Sequence, residues 1–212
     1  MGRRSNRDRV VVEAVRLFNE RGTAAVSTNH IAEAAGISPG NLYYHFRNKE
    51  EIIREIWDRI DALWDRSYAL PSGVPPSVED LGAVVEETFS ALWEYRFFYR
   101  ELGALTRRDP ELRRRYLIVR QRGLDGTEAL LRGFVETGVL AGPEDPDDLA
   151  RLAKVLMLVA ECWLPYEETA GGEFEPGQIE EGAALMMQVL SPYLADDARA
   201  GLPGRARGDG GR

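Results

Sequence analysis

Apolar residues recur along this chain at spacings of three and four, and no stretch keeps the strict alternation of a half-buried strand. The periodicity predicts helices. Val11, Ala14, Val15 and Phe18 form the first stripe, on a helix expected over about residues 8–21 with Gly22 as its stop. Ser27 or Thr28 is placed to cap a second helix carrying Ile31, Ala32 and Ala35. Gly36 supplies the positive φ that a sharp turn needs. Ser38 caps a short third helix with Pro39 at its first position, ending near His45 or Phe46. Leu42 and Phe46, four residues apart, face the core.

A fourth helix begins near Lys49, with Ile52, Ile53, Ile56, Trp57, Ile60, Leu63 and Trp64 along one side. It stops near the Pro/Gly-rich residues 71–76. Ser77 caps a fifth, with Leu81, Val85, Phe89 and Leu92 on one face. A short aromatic sixth carries Phe97, Phe98, Tyr99, Leu102 and Leu105. Asp109-Pro110 opens a seventh that reaches about Gly138. Gly123 and Gly126 inside it each cost roughly 1 kcal/mol relative to Ala, so a bend or a close helix contact is expected there. Asp145-Pro146 opens an eighth, with Leu149, Leu152, Ala153, Leu156, Ala160 and Trp163. Pro176 opens a ninth, with Ile179, Ala183, Met186, Val189, Leu190 and Tyr193, after a loop over residues 167–177. The Gly/Arg/Asp-rich tail, residues 196–212, reads as disordered. Residues 1–8 read as a flexible arm whose Arg3, Arg4 and Arg7 reach a phosphate or a minor groove, or remain a solvated tail. The fold class is all-α, with about nine helices and no sequence repeat.

Composition narrows the picture. Hydrophobic residues make up 44% of 212, enough for a buried core. No apolar run approaches the ~20 residues that span a bilayer. The N-terminus has no apolar segment of a signal peptide, and Cys162 is a lone cysteine, so a reducing cytoplasm fits. With two His, one Cys, no metal-ligand cluster, no Gly-rich phosphate loop and no nucleophile–base pair, an enzyme is not expected. His30 and His45 are too isolated for a metal site, and no cofactor is expected. The net charge of −8 is unevenly spread. Residues 1–49 hold eight Lys/Arg and four Asp/Glu, a net of +4, which leaves −12 on the remainder. Phosphate binding needs positive charge only where nucleic acid lies.

Residues 27–49, STNHIAEAAGISPGNLYYHFRNK, hold the candidate chemistry. Two short helices crossing at a tight turn can lay the second in a major groove. Its polar or aromatic residues are Ser38, Pro39, Gly40, Asn41, Tyr43, Tyr44 and His45. Asn41 can donate to and accept from base edges. Tyr43 offers a hydroxyl to phosphate and a ring face to a thymine methyl. Gly40 lets the backbone approach. Lys49 begins the next helix, where its charge and the helix N-terminus both favour a phosphate. The alternative is a solvent-exposed aromatic turn in a plain helical bundle.

The stretch from Thr28 to Glu51 resembles the signature of the TetR/AcrR family of bacterial transcriptional regulators. It shares the Thr before the second helix, the Ala-Gly turn, the Ser-x-Gly-x-Leu-Tyr run, the His-Phe pair and the Lys opening helix four. The likeness covers about residues 8–56. It implies an N-terminal three-helix DNA-binding domain with a helix-turn-helix over residues 1–48. A larger helical ligand-binding and dimerisation domain is implied over 49–195. Thr28, Tyr43, His45 and Lys49 resemble the family's phosphate anchors; Asn29, Pro39, Gly40 and Asn41 stand where bases are often faced. Tyr44 is either a base or sugar contact or packs inward. Ala32, Ala35, Ile37, Leu42 and Phe46 read as packing.

The resemblance also implies a homodimer held by the last two long helices, on a pseudo-palindromic double-stranded operator. Ala153, Leu156, Met157, Ala160, Ala183, Ala184, Met186 and Met187 give those helices wide apolar faces in keeping with this. The body is rich in aromatics, and Trp64, Phe89, Trp93, Phe98, Leu102, Tyr116, Trp163 and Tyr166 are the candidate walls of a site for a mainly apolar effector. Ile53, Trp57 and Ile60 on helix four are candidate couplers between the two ends. The arginine-rich residues 107–116 read as a solvated helix start, or as a contact with the DNA-binding end. The expected function is a ligand-released repressor; an activator, or a regulator controlled by a protein partner, is the alternative on the same fold.

Overall fold

The computed structural model describes residues 5–67, 75–143, 145, 147–169, 171 and 177–201. Among them lie α1 (Asn6–Ala25), α2 (Thr28–Ala34), α3 (Pro39–His45), α4 (Lys49–Ser67), α5 (Val78–Glu94), α6 (Arg96–Arg108), α7 (Pro110–Glu136), α8 (Asp147–Thr169), α9 (Gln178–Leu190) and α10 (Asp196–Gly201). A 3-10 turn, Ser191–Tyr193, follows α9. The class is all-α, as the periodicity implied. Extended pairing among the described residues is one antiparallel bridge, Leu140–Leu194. α10 replaces the disorder expected from Asp196. Residues 202–212 lie outside the described residues, as do Arg3, Arg4, residues 71–74, Pro146 and Pro176.

Serines set four of the helix starts among the described residues. Ser27 and Ser38 cap α2 and α3 through their hydroxyls. Ser77 Oγ accepts from Asp80 N at 3.3 Å, and Asp80 accepts in return from Ser77 N at 2.7 Å. Ser5 caps α1, so the arm expected over residues 1–8 is already helical from Asn6. Gly22 breaks that helix, with φ 74° and ψ 159°, one turn before α1 ends. α7 runs unbroken through Gly123 and Gly126.

The described residues belong to two compact units. The first comprises Met1–Arg66, Ala91–Gln121 and Leu164–Glu173. In it, α1 packs against α2, α3 and α6. Val10, Ala14, Phe18, Ile31, Leu42, Ile52, Ile56, Ile60, Phe97 and Phe98 are its buried centre. Each of these side chains except that of Ala14 contributes about 1.5–3 kcal/mol by leaving water. Polar ties then fix α6 on α1. Asn19 Nδ2 donates to the Glu94 carbonyl at 2.8 Å, and Asn19 Oδ1 accepts from Phe97 N at 3.0 Å. The Glu101 carboxylate accepts from Thr23 N at 2.8 Å and from the Thr23 hydroxyl.

The second unit comprises Ser67–Ser90, Arg122–Trp163 and Phe174–Arg212. Its core takes Leu81, Val85 and Phe89 from α5, Leu131 and Phe134 from α7, Leu152, Leu156 and Trp163 from α8, and Met186 and Leu190 from α9. The Leu140–Leu194 bridge closes it, with Ala141 N donating to Tyr193 O at 2.7 Å and Ala195 N to Val139 O at 3.1 Å.

Candidate nucleic-acid interface

The turn between α2 and α3 is over-determined. His30 N donates to Ser27 Oγ at 3.2 Å, and Ser27 N donates back to His30 Nδ1 at 3.2 Å. His30 therefore closes a reciprocal cap, a role its spacing did not suggest. Gly36 N bonds Glu33 O at 3.0 Å and Ile37 N bonds Ala32 O at 3.0 Å, which turns the chain sharply. Gly36 has φ 62°, and a Cβ there would stand 2.9 Å from the Arg9 guanidinium. Arg9 fills that space and donates to the Ala35 carbonyl. Asn41 N donates to Ser38 Oγ at 3.2 Å and fixes the start of α3.

With Leu42 and Phe46 buried, the outer side of α3 is left to polar and aromatic groups. Ser38, Pro39, Gly40 and Asn41 are exposed, and so is Asn29 on α2. Tyr43 is 50% exposed and Tyr44 85%, so Tyr44 does not pack inward. His45 is half-buried, its ring edge-on to Tyr44 at 5.2 Å. Thr28 Oγ1 and the Tyr43 hydroxyl lie 3.1 Å apart, within hydrogen-bonding distance, so the structure brings these two residues together. Ala32 and Ala35 are buried as expected, and Ile37 is half-buried.

Two cations depart from expectation. The Lys49 ammonium is turned toward the protein, donating to the carbonyls of Val26, at 2.9 Å, and Thr23. It staples the α1–α2 connection to the start of α4. Arg7 is no arm residue: it lies in α1, pairs with Glu55 and covers the Phe46 ring at 5.2 Å. The exposed cation between α3 and α4 is instead Arg47, which the sequence reading passed over. Asn6 was missed too. Its amide donates from Nδ2 to Asn41 Oδ1 at 3.1 Å, across 35 residues of sequence.

The aromatic residues do not share one unit. In the first, Trp57 stacks on Phe98 with centroids 4.8 Å apart and meets Tyr116 at 5.6 Å. Trp64 Nε1 donates to the Tyr99 hydroxyl at 2.9 Å, and Leu102 is half-buried. Trp93 lies under the Arg96 guanidinium at 4.7 Å. Trp57 Nε1 is buried without a hydrogen-bond partner among the described residues. Tyr166 stands apart from these rings, 71% exposed. Phe89 and Trp163 belong to the second unit, where they meet edge-on at 5.2 Å. Ile53, Trp57 and Ile60, the expected couplers, are buried on α4.

The arginine-rich residues 107–116 join α4. Arg54 Nε donates to Asp109 Oδ2 at 2.7 Å, and Arg115 Nη1 to Asp58 Oδ1 at 2.9 Å. Asp109 also caps α7, its Oδ1 accepting from Glu111 N at 3.0 Å and Leu112 N at 3.1 Å. Burial pushes the Asp109 carboxyl up, but Arg54 and these amides outweigh it and hold it below the usual range. Hydrogen bonds from Arg114 and then Arg115 take Glu111 down to about 2. Among the described residues no group of three His, Cys, Asp or Glu is placed to hold a metal, and no helix is long and apolar enough to cross a membrane.

Comparison with known proteins places the chain in a family. The family model described as "Bacterial regulatory proteins, tetR family" matches residues 10–56, and one described as a TetR "Bacterial transcriptional repressor" matches residues 61–202. A solved TetR-family transcriptional regulator from Marinobacter aquaeolei VT8 is 33% identical, with a TM-score of 0.84 over 93% of this chain and 95% of that one. SmeT, the repressor of the Stenotrophomonas maltophilia multidrug efflux pump SmeDEF, shares the fold at 23% identity, with a TM-score of 0.65 over 96% of each chain. The HTH-type transcriptional repressor KstR2 of Mycolicibacterium smegmatis is 33% identical over 89 residues, 42% of this chain and 43% of that one. The chain thus spans less than half the length of that curated relative. A match over residues 61–202, joined to a helix-turn-helix match over 10–56, decides the family: the chain belongs to the TetR family of bacterial DNA-binding transcriptional regulators.

Proposed function

We propose that this protein is a homodimeric, cytoplasmic repressor that reads a pseudo-palindromic operator with the outer side of α3 and releases it when a small, mainly apolar molecule binds the body. The observation that carries the reading is the α3 surface. A short helix, rigidly set by its turn, presents Ser38, Asn41, Tyr43 and Tyr44 to solvent with no aliphatic residue among them. In the groove, Asn41, Gly40, Pro39 and Asn29 face bases. Ser38, Thr28, Tyr43 and His45 hold the flanking phosphates with Arg47, while Lys49 supports them from behind. Tyr44 meets base or sugar. The +4 charge of residues 1–49 favours the polyanion at this end.

Dimerisation is supported by apolar groups left in solvent. Val155, Leu158 and Cys162 are exposed at helical spacing on α8, and Ala184 and Leu185 on α9. A second copy covering these faces forms an isologous interface and presents two α3 helices to two half-sites. The effector is assigned to the first unit's rings, Trp57, Trp64, Phe98 and Tyr116, with Leu102 beside them. There the unpaired Trp57 N–H calls for an acceptor on an otherwise apolar molecule. Release is a population shift: the effector lowers DNA affinity by as much as it prefers the non-binding conformer. Repression rather than activation is supported by the family description and by the KstR2 name. The test is site selection from a randomised duplex pool with the purified protein. Enrichment of an inverted repeat supports the reading; recovery of unrelated sequences at a salt concentration where binding persists refutes it.

A further inference from the structure

Asn41 is not a free side chain. Arg9 is a donor only, and it is fixed by the Ala35 carbonyl on one side of the α2–α3 turn. Its Nη1 reaches Asn6 Oδ1 at 3.4 Å. That contact orients the Asn6 amide, since a guanidinium can meet only the amide oxygen. Asn6 must then turn its NH2 to Asn41, and Nδ2 lies 3.1 Å from Asn41 Oδ1. The second amide is thereby oriented in turn. Its oxygen is engaged and its NH2 is left to the outside. Gly36 belongs to the same relay, because a side chain there would displace Arg9, whose guanidinium stands 2.9 Å from where a Cβ would be.

We propose that Asn6 is a specificity-determining residue. By holding Asn41 Oδ1, it turns the Asn41 NH2 outward and makes Asn41 chiefly a donor, suited to a base edge that offers acceptors. The inference rests on the reading that α3 lies in the major groove with Asn41 toward the bases. A free asparagine recognises adenine by using its oxygen and its nitrogen together, toward N6 and N7. Here one lone pair of the oxygen is taken by Asn6, and the NH2 is the group turned outward. Guanine, with acceptors at both O6 and N7, suits the two N–H bonds that remain. Covering by DNA excludes water from the relay and makes breaking it more costly than in the free protein. Asn6 touches no base in this scheme. It acts by orienting Asn41.

The opposite relay can be built with one substitution. In Asn6→Asp the carboxylate accepts only. It keeps Arg9 as a donor and draws in the Asn41 NH2, which turns Asn41 Oδ1 outward, toward a base that donates. The experiment uses the full chain and the operator obtained by site selection. Asn41→Ala first identifies the base pair that Asn41 reads, as the position where discrimination collapses. Affinities for all four base pairs at that position are then measured with wild type, Asn6→Asp and Asn6→Ala at one salt concentration. Thermal melts confirm that each variant is folded.

Wild type should prefer guanine there. Asn6→Asp should shift the preference toward a pair presenting cytosine N4 or adenine N6, by about tenfold in the affinity ratio, within what one good side-chain–base contact supplies. Asn6→Ala should flatten guanine against adenine. The added negative charge lowers all affinities together, so the ratio and not the absolute affinity is decisive. If Asn6→Asp and Asn6→Ala keep the wild-type preference at that pair, the relay does not set specificity and the proposal fails, while the groove reading stands. If Asn41→Ala changes discrimination nowhere, the groove reading itself fails and takes the proposal with it.

Discussion

Gly182 sits in the interior of α9, where Ala would be better by about 1 kcal/mol on helix propensity alone. The structure reverses that sign. A Cβ at residue 182 would lie 2.4 Å and 2.5 Å from two ring carbons of Phe89, and 2.9 Å from Trp163. Carbon atoms pack at about 3.5–4.0 Å, so the overlap exceeds roughly 1 Å. Phe89 is fully buried and Trp163 nearly so, with the rings edge-on at 5.2 Å. Neither ring can turn aside without opening the second unit's core, so α9 itself must shift. Overpacking of this kind costs about 1–3 kcal/mol. With the propensity gain set against it, the net expectation for Gly182→Ala is a loss of up to about 2 kcal/mol, or a Tm lower by up to roughly 8 °C for a chain of this size. The assay is far-UV circular dichroism melting of wild type, Gly182→Ala, Phe89→Leu and the double variant. The double variant should lose less than the sum of the singles, because the smaller side chain at 89 makes room for the new methyl. A Tm raised by Gly182→Ala would refute the argument. It would mean that Phe89 swings away freely, and that Phe89 and Trp163 border open space and not packed core.

Asp109→Asn should cost about 1–2 kcal/mol near neutral pH by weakening the cap on α7 and its bond to Arg54. Because the folded carboxyl is held low, its contribution is complete above about pH 4 and fades as pH falls through the folded value, so the acid limb of Tm against pH should be shallower in the variant. An unchanged acid limb would remove Asp109 from the account. Arg47→Ala should lower the slope of log affinity against log salt by about 0.9 per half-site, or about 1.8 for the dimer on its full operator. Lys49→Met should chiefly lower Tm, since its ammonium is spent on Val26 and Thr23; a salt slope reduced by Lys49→Met with Tm unchanged would restore it as a phosphate ligand. Leu158→Glu, on the exposed stripe of α8, should yield monomers in sedimentation and weaken binding to the full operator far more than to a half-site. A dimer that survives this change places the interface elsewhere.

The local grammar of the chain was legible. Serine caps at 27, 38 and 77, the breaks at Gly22 and Gly36, and the inward stripe of α4 all follow from short-range rules, and the structure reproduces them. The exposed side of α3 was legible for the same reason: once Leu42 and Phe46 go inward, the others must face out. What could not be read was where long polar side chains end. Lys49 looks like a phosphate ligand until the carbonyls of residues 23 and 26 come within its reach. Asn6 and Arg9 have no periodic signal, because their roles depend on contacts across 35 and 26 residues. The aromatic residues were misleading as a set. Phe89 and Trp163 close over a glycine of α9 that is distant in sequence, while Trp57, Phe98 and Tyr116 gather in the other unit. Hydrophobicity marks such residues as buried but carries no information about which of them share a core.

The central claim is that the exposed side of α3 reads DNA sequence. It is tested most directly by fluorescence anisotropy at one fixed salt concentration, with the selected operator and a scrambled duplex of the same composition. Wild type, Asn41→Ala and Tyr43→Ala are compared, each shown to be folded and dimeric. Wild type should bind the operator at least about a thousandfold more tightly than the scramble. Asn41→Ala should lose mainly that preference, and Tyr43→Ala should weaken binding to both duplexes. Variants that bind as wild type does, with the same preference, would contradict the claim and move the reading surface away from α3.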